Sequence, residues 1–169
     1  MDFIPILNEN LVFTRRSFSN AKGVLTYMSG RLLKLGYVDP KFLSNIVKRE
    51  EEHPTGLKLC DINVAIPHTD SKYVFKNGIA IMTLKSPVFF GRMDKPEEGI
   101  KTHIVFLLAI IDPKSYMELL AKLTSGFLDR AFLESIYCSK TSKELLSAVR
   151  SYLQVDRGGE KQEINGSIR

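Results

Sequence analysis

One apolar run constrains the fold of this chain more than any other feature: Ile104 to Ile111 reads Ile-Val-Phe-Leu-Leu-Ala-Ile-Ile. It is far shorter than the roughly 20 apolar residues that a membrane-spanning helix needs. A strand that is apolar on both faces needs cover on both faces, and helices usually supply it. The run therefore predicts a central strand between two layers of helices.

Helices and shorter strands alternate along the rest of the chain. We predict further strands at Val12–Phe13, 64–66, 78–84 and 88–90, with a polar loop at 91–99. Caps, prolines and helical spacing predict helices over 20–35, 39–52 and 112–128, a short one from Asp129, and a last one opened by Thr141-x-x-Glu144. This order predicts one α/β domain with helices packed on both faces of a sheet.

The length of 169 residues fits a single domain, and 44% hydrophobic residues suffice for a buried core. We place this domain at residues 5–153. From Asp156 onward the chain has two adjacent glycines and few apolar residues, so we expect residues 154–169 to form a flexible C-terminal tail.

Cysteine use and the N-terminus indicate a cytoplasmic protein. Cys60 and Cys138 form no CxxC pair, which favours reduced thiols. The first ten residues include an acid and lack a basic segment, so they do not resemble a secretory signal.

The net charge of +5 does not by itself indicate a nucleic-acid partner. The basic residues are scattered singly, apart from Arg15-Arg16, and no basic cluster alternates with aromatic residues. We therefore expect an ordinary basic surface and no nucleic-acid binding.

Of the three histidines, His68 has the setting most typical of a reactive residue. His53 lies where a helix is expected to end in solvent, and His103 at the start of a strand is expected to be structural. His68 follows Pro67, which ends the predicted strand 64–66 and holds the imidazole at a sheet edge, where ligand crevices form in α/β folds. Thr69 and Asp70 follow directly and could orient the ring or accept its proton.

The sequence lacks the common motifs for nucleotide binding, serine hydrolysis and metal binding, which limits the reactions that His68 could carry out. The sequence has no nucleotide-phosphate loop, no G-x-S-x-G elbow and no HExxH, so we expect neither a cofactor nor a metal. An imidazole acting alone is a good nucleophile towards phosphorus, and the transferred group then needs cations around its oxygens. Arginine suits that task. Arg49, nineteen residues upstream, is a candidate, although the residues alone favour a helix-end cation.

The stretch from Arg49 to His68 resembles the active-site region of type 2 EIIA domains. These belong to the fructose/mannitol class of the bacterial phosphoenolpyruvate-dependent sugar phosphotransferase system. The resemblance rests on the Arg-Glu opening, on Pro-Thr-Gly at 54–56, and on Ala-Ile-Pro-His at 65–68. The spacing is most similar to the galactitol-type branch, and the likeness extends over roughly residues 5–153.

This resemblance implies a fold, a reaction and partners. The family fold is a mixed β-sheet flanked by helices on both faces. His68 would accept a phosphoryl group from the phosphohistidine of HPr and pass it to a cysteine of EIIB, while a membrane EIIC couples the transfer to sugar uptake. Arg49 would steady the phosphoryl oxygens, and the Thr55 hydroxyl would help to shape the pocket.

Three positions depart from the family pattern. Thr69 stands where many members have glycine, and Asn63 replaces another small glycine. Tyr116 stands where the mannitol and fructose types carry a second histidine; a tyrosine can donate a hydrogen bond but supplies no cationic ring. This substitution favours a galactitol-like, stand-alone transport EIIA. The alternative is a regulatory EIIA of the nitrogen type, whose phosphorylation state controls partner proteins.

Overall fold

A computed structural model describes residues 2–155. Within that range the strands are β1 (Val12–Arg16), β2 (Gly56–Leu57), β3 (Val64–Ala65), β4 (Gly78–Gly91) and β5 (Gly99–Ala109). The α-helices of the same range are α1 (Ala21–Lys34), α2 (Phe42–Glu52), α3 (Pro113–Phe127), α4 (Arg130–Tyr137) and α5 (Ser142–Gln154). Helix α5 includes Gln154, the first residue of the predicted tail 154–169, and residues 156–169 of that tail lie outside the described residues.

The strands form one mixed sheet in the order β1-β4-β5-β3-β2. β1 is parallel to β4 and β3 is parallel to β5, whereas β4 with β5 and β2 with β3 are antiparallel. The predicted α/β domain with a mixed sheet is confirmed.

Strand β5 has the central place that its apolar run predicts, because its side chains alternate between two cores. Phe106 and Leu108 belong to the core that contains residues of α3, α4 and α5. Val105 and Leu107 belong to the core that contains residues of α1 and α2. The helices therefore flank the sheet on both faces, as expected.

The central hairpin is longer than predicted. β4 is one strand of 14 residues, with a register shift between Thr83 and Val88, instead of two separate strands. β5 begins at Gly99, where exposed and buried residues alternate, and ends at Ala109, before the apolar run does. The outer part of the hairpin extends beyond the helices, and one of its faces is open to solvent. The strands there need not be apolar at every position.

His68 lies just beyond the end of strand β3, with helix α2 on one face of the sheet and helix α3 on the other. Beyond β3, the Leu108 amide donates to the Pro67 carbonyl at 3.0 Å, which keeps the chain alongside β5 up to His68. Helix α3 begins soon after β5, and the Asp112 side chain caps it by accepting from the Ser115 amide at 2.8 Å. Helices α2 and α3 contribute to opposite cores, so they lie on opposite faces of the sheet.

Candidate functional site

The His68 ring is half-buried and held by a backbone carbonyl. Its Nδ1 lies 3.0 Å from the Ile66 oxygen. Because a carbonyl oxygen can only accept, the contact assigns the proton to Nδ1, which donates. In the neutral ring the lone pair is then on Nε2. The arrangement leaves Nε2 as the nucleophilic atom.

The surroundings of His68 favour the neutral ring. Burial is the main cause that lowers its pKa below the ordinary value of 6.5, and the Arg49 guanidinium lowers it further. The hydrogen bond to Ile66 acts in the opposite direction and is outweighed. At neutral pH the imidazole is therefore uncharged and able to attack an electrophile.

Arg49 lies in the last turn of α2 and is exposed. Its carbonyl accepts from the His53 amide at 2.7 Å, which closes the helix end. Its guanidinium acts electrostatically on both His68 and Tyr116. The structure thus brings the Arg49 charge to the histidine, across the nineteen residues that separate them in sequence.

Tyr116 reaches His68 from helix α3. The two ring centroids are 5.1 Å apart, and the ring planes are inclined at 45°. Burial raises the pKa of the Tyr116 phenol, and Arg49 acts in the opposite direction, so the hydroxyl keeps its proton at neutral pH. A cation from α2 and a hydroxyl-bearing ring from α3 therefore approach the imidazole from elements on the two faces of the sheet.

The Thr55 side chain contacts Glu50. Thr55 is 2% exposed, and its hydroxyl donates to Oε2 of Glu50 at 2.8 Å. Its carbonyl accepts from the Ile66 amide at 3.3 Å, so its link to the histidine runs through the backbone. Thr69 follows His68 directly and is half-buried. The roles expected for Thr55 and Thr69 remain predictions.

Sequence reasoning did not single out Glu50, which is 8% exposed. Burial raises its pKa to about 7, while the hydrogen bonds from Thr55 act to lower it. A signal was present, because Phe42, Ile46 and Glu50 recur every four residues and form the buried stripe of α2. The stripe was missed because Glu50 is the first of three consecutive glutamates, which together look like a solvent-exposed helix end.

The other two histidines have different surroundings. His103 accepts at Nδ1 from the Asn63 amide at 3.0 Å, and its ring lies edge-on to Tyr137. It is five residues from Leu108, the neighbour of His68, along β5, or roughly 16 Å at the usual rise of a strand. His53 is exposed at the end of α2.

The described residues offer neither a metal cluster nor a membrane helix. Within residues 2–155, no three His, Cys, Asp or Glu side chains are grouped as metal ligands. No helix in this range is long and apolar enough to cross a bilayer. A cavity of about 640 Å³ lies beside β2 and α3, but neither His68 nor Arg49 lines it.

The profile of one protein family matches residues 5–152. Its description is "Phosphoenolpyruvate-dependent sugar phosphotransferase system, EIIA 2". The chain belongs to this family. The family is the one that the resemblance in the sequence of this EIIA domain indicated.

Several curated relatives of this EIIA domain are longer proteins. A multiphosphoryl transfer protein of Escherichia coli is 24% identical over 155 residues, which are 90% of this chain and 18% of the relative. The 2-O-alpha-mannosyl-D-glycerate-specific EIIABC component of the same species is 27% identical over 164 residues, 94% of this chain and 23% of the relative. This chain thus spans less than a quarter of their length. A galactitol-specific EIIA component of Escherichia coli is 27% identical over 104 residues, 62% of this chain and 69% of the relative.

Solved structures show the same fold. The mannitol IIA of Escherichia coli has a TM-score of 0.69 at 20% identity, over 84% of this chain and 97% of that one. The nitrogen regulatory protein IIA-Ntr of Neisseria meningitidis has a TM-score of 0.68 at 22% identity, over 89% and 98%. A complex of mannitol IIA with phosphorylated mannitol IIB matches with a TM-score of 0.70 at 20% identity, over 85% and 96%.

Proposed function

We propose that this EIIA domain, over residues 5–153, is a cytoplasmic bacterial phosphocarrier. His68 accepts a phosphoryl group from the phosphohistidine of HPr and passes it to a cysteine of a cognate EIIB. A membrane EIIC then couples this transfer to the uptake of a sugar or sugar alcohol. Family membership and the geometry of His68 support this role.

The single observation that supports the reaction best is the contact between Nδ1 of His68 and the Ile66 oxygen. The lone pair of Nε2 attacks phosphorus, and a new N–P bond forms while the N–P bond of the donor breaks. The electron pair of the broken bond stays on the donor imidazole. The proton remains on Nδ1 of His68, so that the ring can later leave as neutral imidazole when a cysteine thiolate of EIIB attacks.

Arg49 supplies the positive charge that this transfer needs. The three phosphoryl oxygens carry negative charge throughout, and a planar guanidinium can bind two of them at once. Tyr116, whose ring lies beside that of His68 and whose phenol stays protonated, donates a hydrogen bond to the phosphoryl group or to the ring in this proposal. Thr55, which precedes His68 in the sequence, and Thr69, which follows it, are supporting residues of the site in this proposal.

A galactitol-like substrate is the specificity that we propose for the assembled transporter. The support is the similarity to a galactitol-specific EIIA component and the presence of Tyr116, where the mannitol and fructose types carry a second histidine. Uptake of radiolabelled galactitol, compared with mannitol and fructose, in cells that depend on this EIIA tests the assignment. Uptake of mannitol or fructose without galactitol would contradict it.

Phosphorylated HPr provides the direct test of the carrier function. The wild-type chain should acquire an acid-labile phosphoryl group whose ³¹P signal couples to Nε2 in ¹⁵N-histidine protein. His68→Ala should acquire none, whereas His53→Ala, which removes an exposed histidine at the end of α2, should be labelled normally. Equal labelling of His68→Ala, or no labelling of the wild type, would refute the proposal.

A regulatory role of the nitrogen type is the second candidate function. The transcriptional regulator ManR of Bacillus subtilis is 30% identical over 100 residues, which are 59% of this chain and 14% of that protein, so related domains also occur outside transporters. Transfer of the label from the phosphorylated domain to the cysteine of an EIIB supports transport. A label that passes to no EIIB favours regulation.

A further inference from the structure

Glu50 and its neighbour Arg49 lie in the same turn of α2 but in opposite environments. Arg49 is exposed, whereas Glu50 is 8% exposed and Thr55, its partner, is 2% exposed. Oε1 of Glu50 accepts from the Thr55 amide at 2.9 Å, and Oε2 accepts from the Thr55 hydroxyl at 2.8 Å. This pair, the Glu50–Thr55 link, joins the last turn of α2 to the chain that enters β2.

The Glu50–Thr55 link continues to the histidine. The Thr55 carbonyl accepts from the Ile66 amide at 3.3 Å, and the Ile66 carbonyl accepts from Nδ1 of His68 at 3.0 Å. One end of this series is the helical turn that carries Arg49, and the other end is the imidazole. The two groups are thus connected by buried contacts, although the Arg49 side chain is itself open to solvent.

We propose that the Glu50–Thr55 link is a positioning device that holds the Arg49-bearing turn of α2 at a set distance from His68, and this inference rests on the proposed carrier function. The last turn of a helix frays readily, because its carbonyls lack partners within the helix. A displacement of about 1 Å in a group that stabilises the transition state can slow a reaction by about 100-fold. A buried link in the same turn prevents such displacement.

Burial alone does not account for a glutamate at this position. Phe42 and Ile46 continue the same stripe with apolar side chains, and a third apolar residue would avoid the cost of burying a carboxylate. That cost is visible in the pKa of Glu50, which burial raises to about 7. What Glu50 adds over an apolar residue is a pair of directed hydrogen bonds to Thr55, and these fix geometry.

The first experiment compares phosphoryl-transfer kinetics from phosphorylated HPr. Glu50→Ala and Thr55→Val should lower kcat by about 10-fold and leave KM within about 2-fold, because the link acts on the transition state through Arg49. Glu50→Gln keeps an oxygen that accepts from Thr55 and should restore most of the rate. Glu51→Ala, an exposed glutamate one residue further along α2, is the matched control and should have the wild-type rate.

A double-mutant cycle separates positioning from general damage. In an Arg49→Ala background, Glu50→Ala and Thr55→Val should cause no further loss, because the group they position is already absent. Losses that multiply in that background, or a wild-type kcat in both single variants, would overturn the inference. Thr55→Val preserves side-chain shape, so it decides the question if Glu50→Ala does not fold.

A second measurement does not depend on phosphoryl transfer. The Arg49 charge lowers the pKa of His68, so loosening the link should raise that pKa towards 6.5, and Arg49→Ala should raise it in the same direction. The ¹⁵N chemical shifts of the ring report this change in Glu50→Ala and Thr55→Val. Unchanged titration in both variants would overturn the inference. Absence of labelling in the wild-type chain would instead refute the carrier function.

Discussion

At the scale of single residues, the surroundings of His68 set the protonation state on which its proposed chemistry depends. Burial and the Arg49 charge both disfavour the imidazolium form, and the Ile66 carbonyl determines which nitrogen carries the remaining proton. A neutral ring with a free Nε2 can form a bond to phosphorus without first losing a proton. In the proposed carrier function, His68 can therefore attack phosphorus at neutral pH.

The titration of His68 should reflect this setting. We expect its pKa to lie below 6.5, so the ring stays neutral on acidification until the pH falls below the range in which an unstructured histidine protonates. Long-range ¹H–¹⁵N spectra recorded from pH 8 to pH 5, with a histidine-containing peptide as reference, measure this. A pKa at or above that of the peptide would contradict the burial of the ring.

The contribution of Arg49 can be measured by substitution. Arg49→Ala should slow phosphoryl transfer from HPr by about 100-fold, because the charge on the phosphoryl oxygens loses its cationic partner. Stopped-flow or rapid-quench transfer assays give the rate. The control is Lys48→Ala, which removes the adjacent exposed cation of α2, paired with Glu52 at 3.9 Å. Equal rates for the two variants would limit Arg49 to a helix-end role.

At the scale of elements, the end of helix α2 combines Arg49, the cation of the proposed site, with a buried acid, Glu50. Glu50 continues the apolar stripe of the helix but carries a carboxyl group, whose pKa burial raises from 4.5 to about 7. Between these two values the folded chain binds a proton more tightly than the unfolded chain does. The contribution of Glu50 to the free energy of unfolding therefore decreases as the pH rises through this interval.

Glu50→Gln should remove that decrease. We expect the variant to gain stability relative to the wild type between pH 4 and pH 8, by about 3–4 kcal/mol at most, at ~1.4 kcal/mol per pKa unit. Urea denaturation at a series of pH values measures the difference. Comparison with the wild type at each pH cancels the titration of groups common to both proteins. A difference independent of pH would show that Glu50 is not buried as a carboxyl group.

Local sequence patterns predicted most elements well, and their lengths less well. The Asp112-Pro113 cap of α3 and the Gly36 stop after α1 are confirmed, and Gly36 has the positive φ of 79° that such a stop uses. The beginning of β5 was missed because Gly99 to His103 mix exposed and buried residues in a hairpin beyond the helical layers. A uniformly apolar run marks only the part of a strand that helices cover.

At the scale of the whole molecule, the reactive edge and the stabilising cores are separate. Phe106 is fully buried at the centre of the sheet and lies 5.3 Å from Phe127, ring centroid to ring centroid. His68 is half-buried beyond the end of β3. We therefore expect substitutions at the proposed site to leave the fold intact.

This separation predicts unequal costs of substitution. Phe106→Ala should lower the free energy of unfolding by roughly 3–5 kcal/mol, because it leaves a cavity in a packed core. His68→Ala should lower it by less than about 1 kcal/mol, since the change removes few core contacts. Chemical denaturation of both variants tests the contrast. A similar loss for both would mean that the histidine supports the core.

The amino-acid sequence by itself determined the layered α/β architecture, because strand and helix periodicities are local and burial on both faces of β5 follows from eight consecutive apolar residues. Its motifs also selected Arg49 and His68 as the candidate site residues. Only the tertiary structure decided that Tyr116 lies beside the imidazole, that the Arg49 charge acts on it, which ring nitrogen carries the proton, and that Glu50 is buried. These features depend on the register of β3 beside β5 and on the docking of α2 and α3, which join residues far apart in the chain.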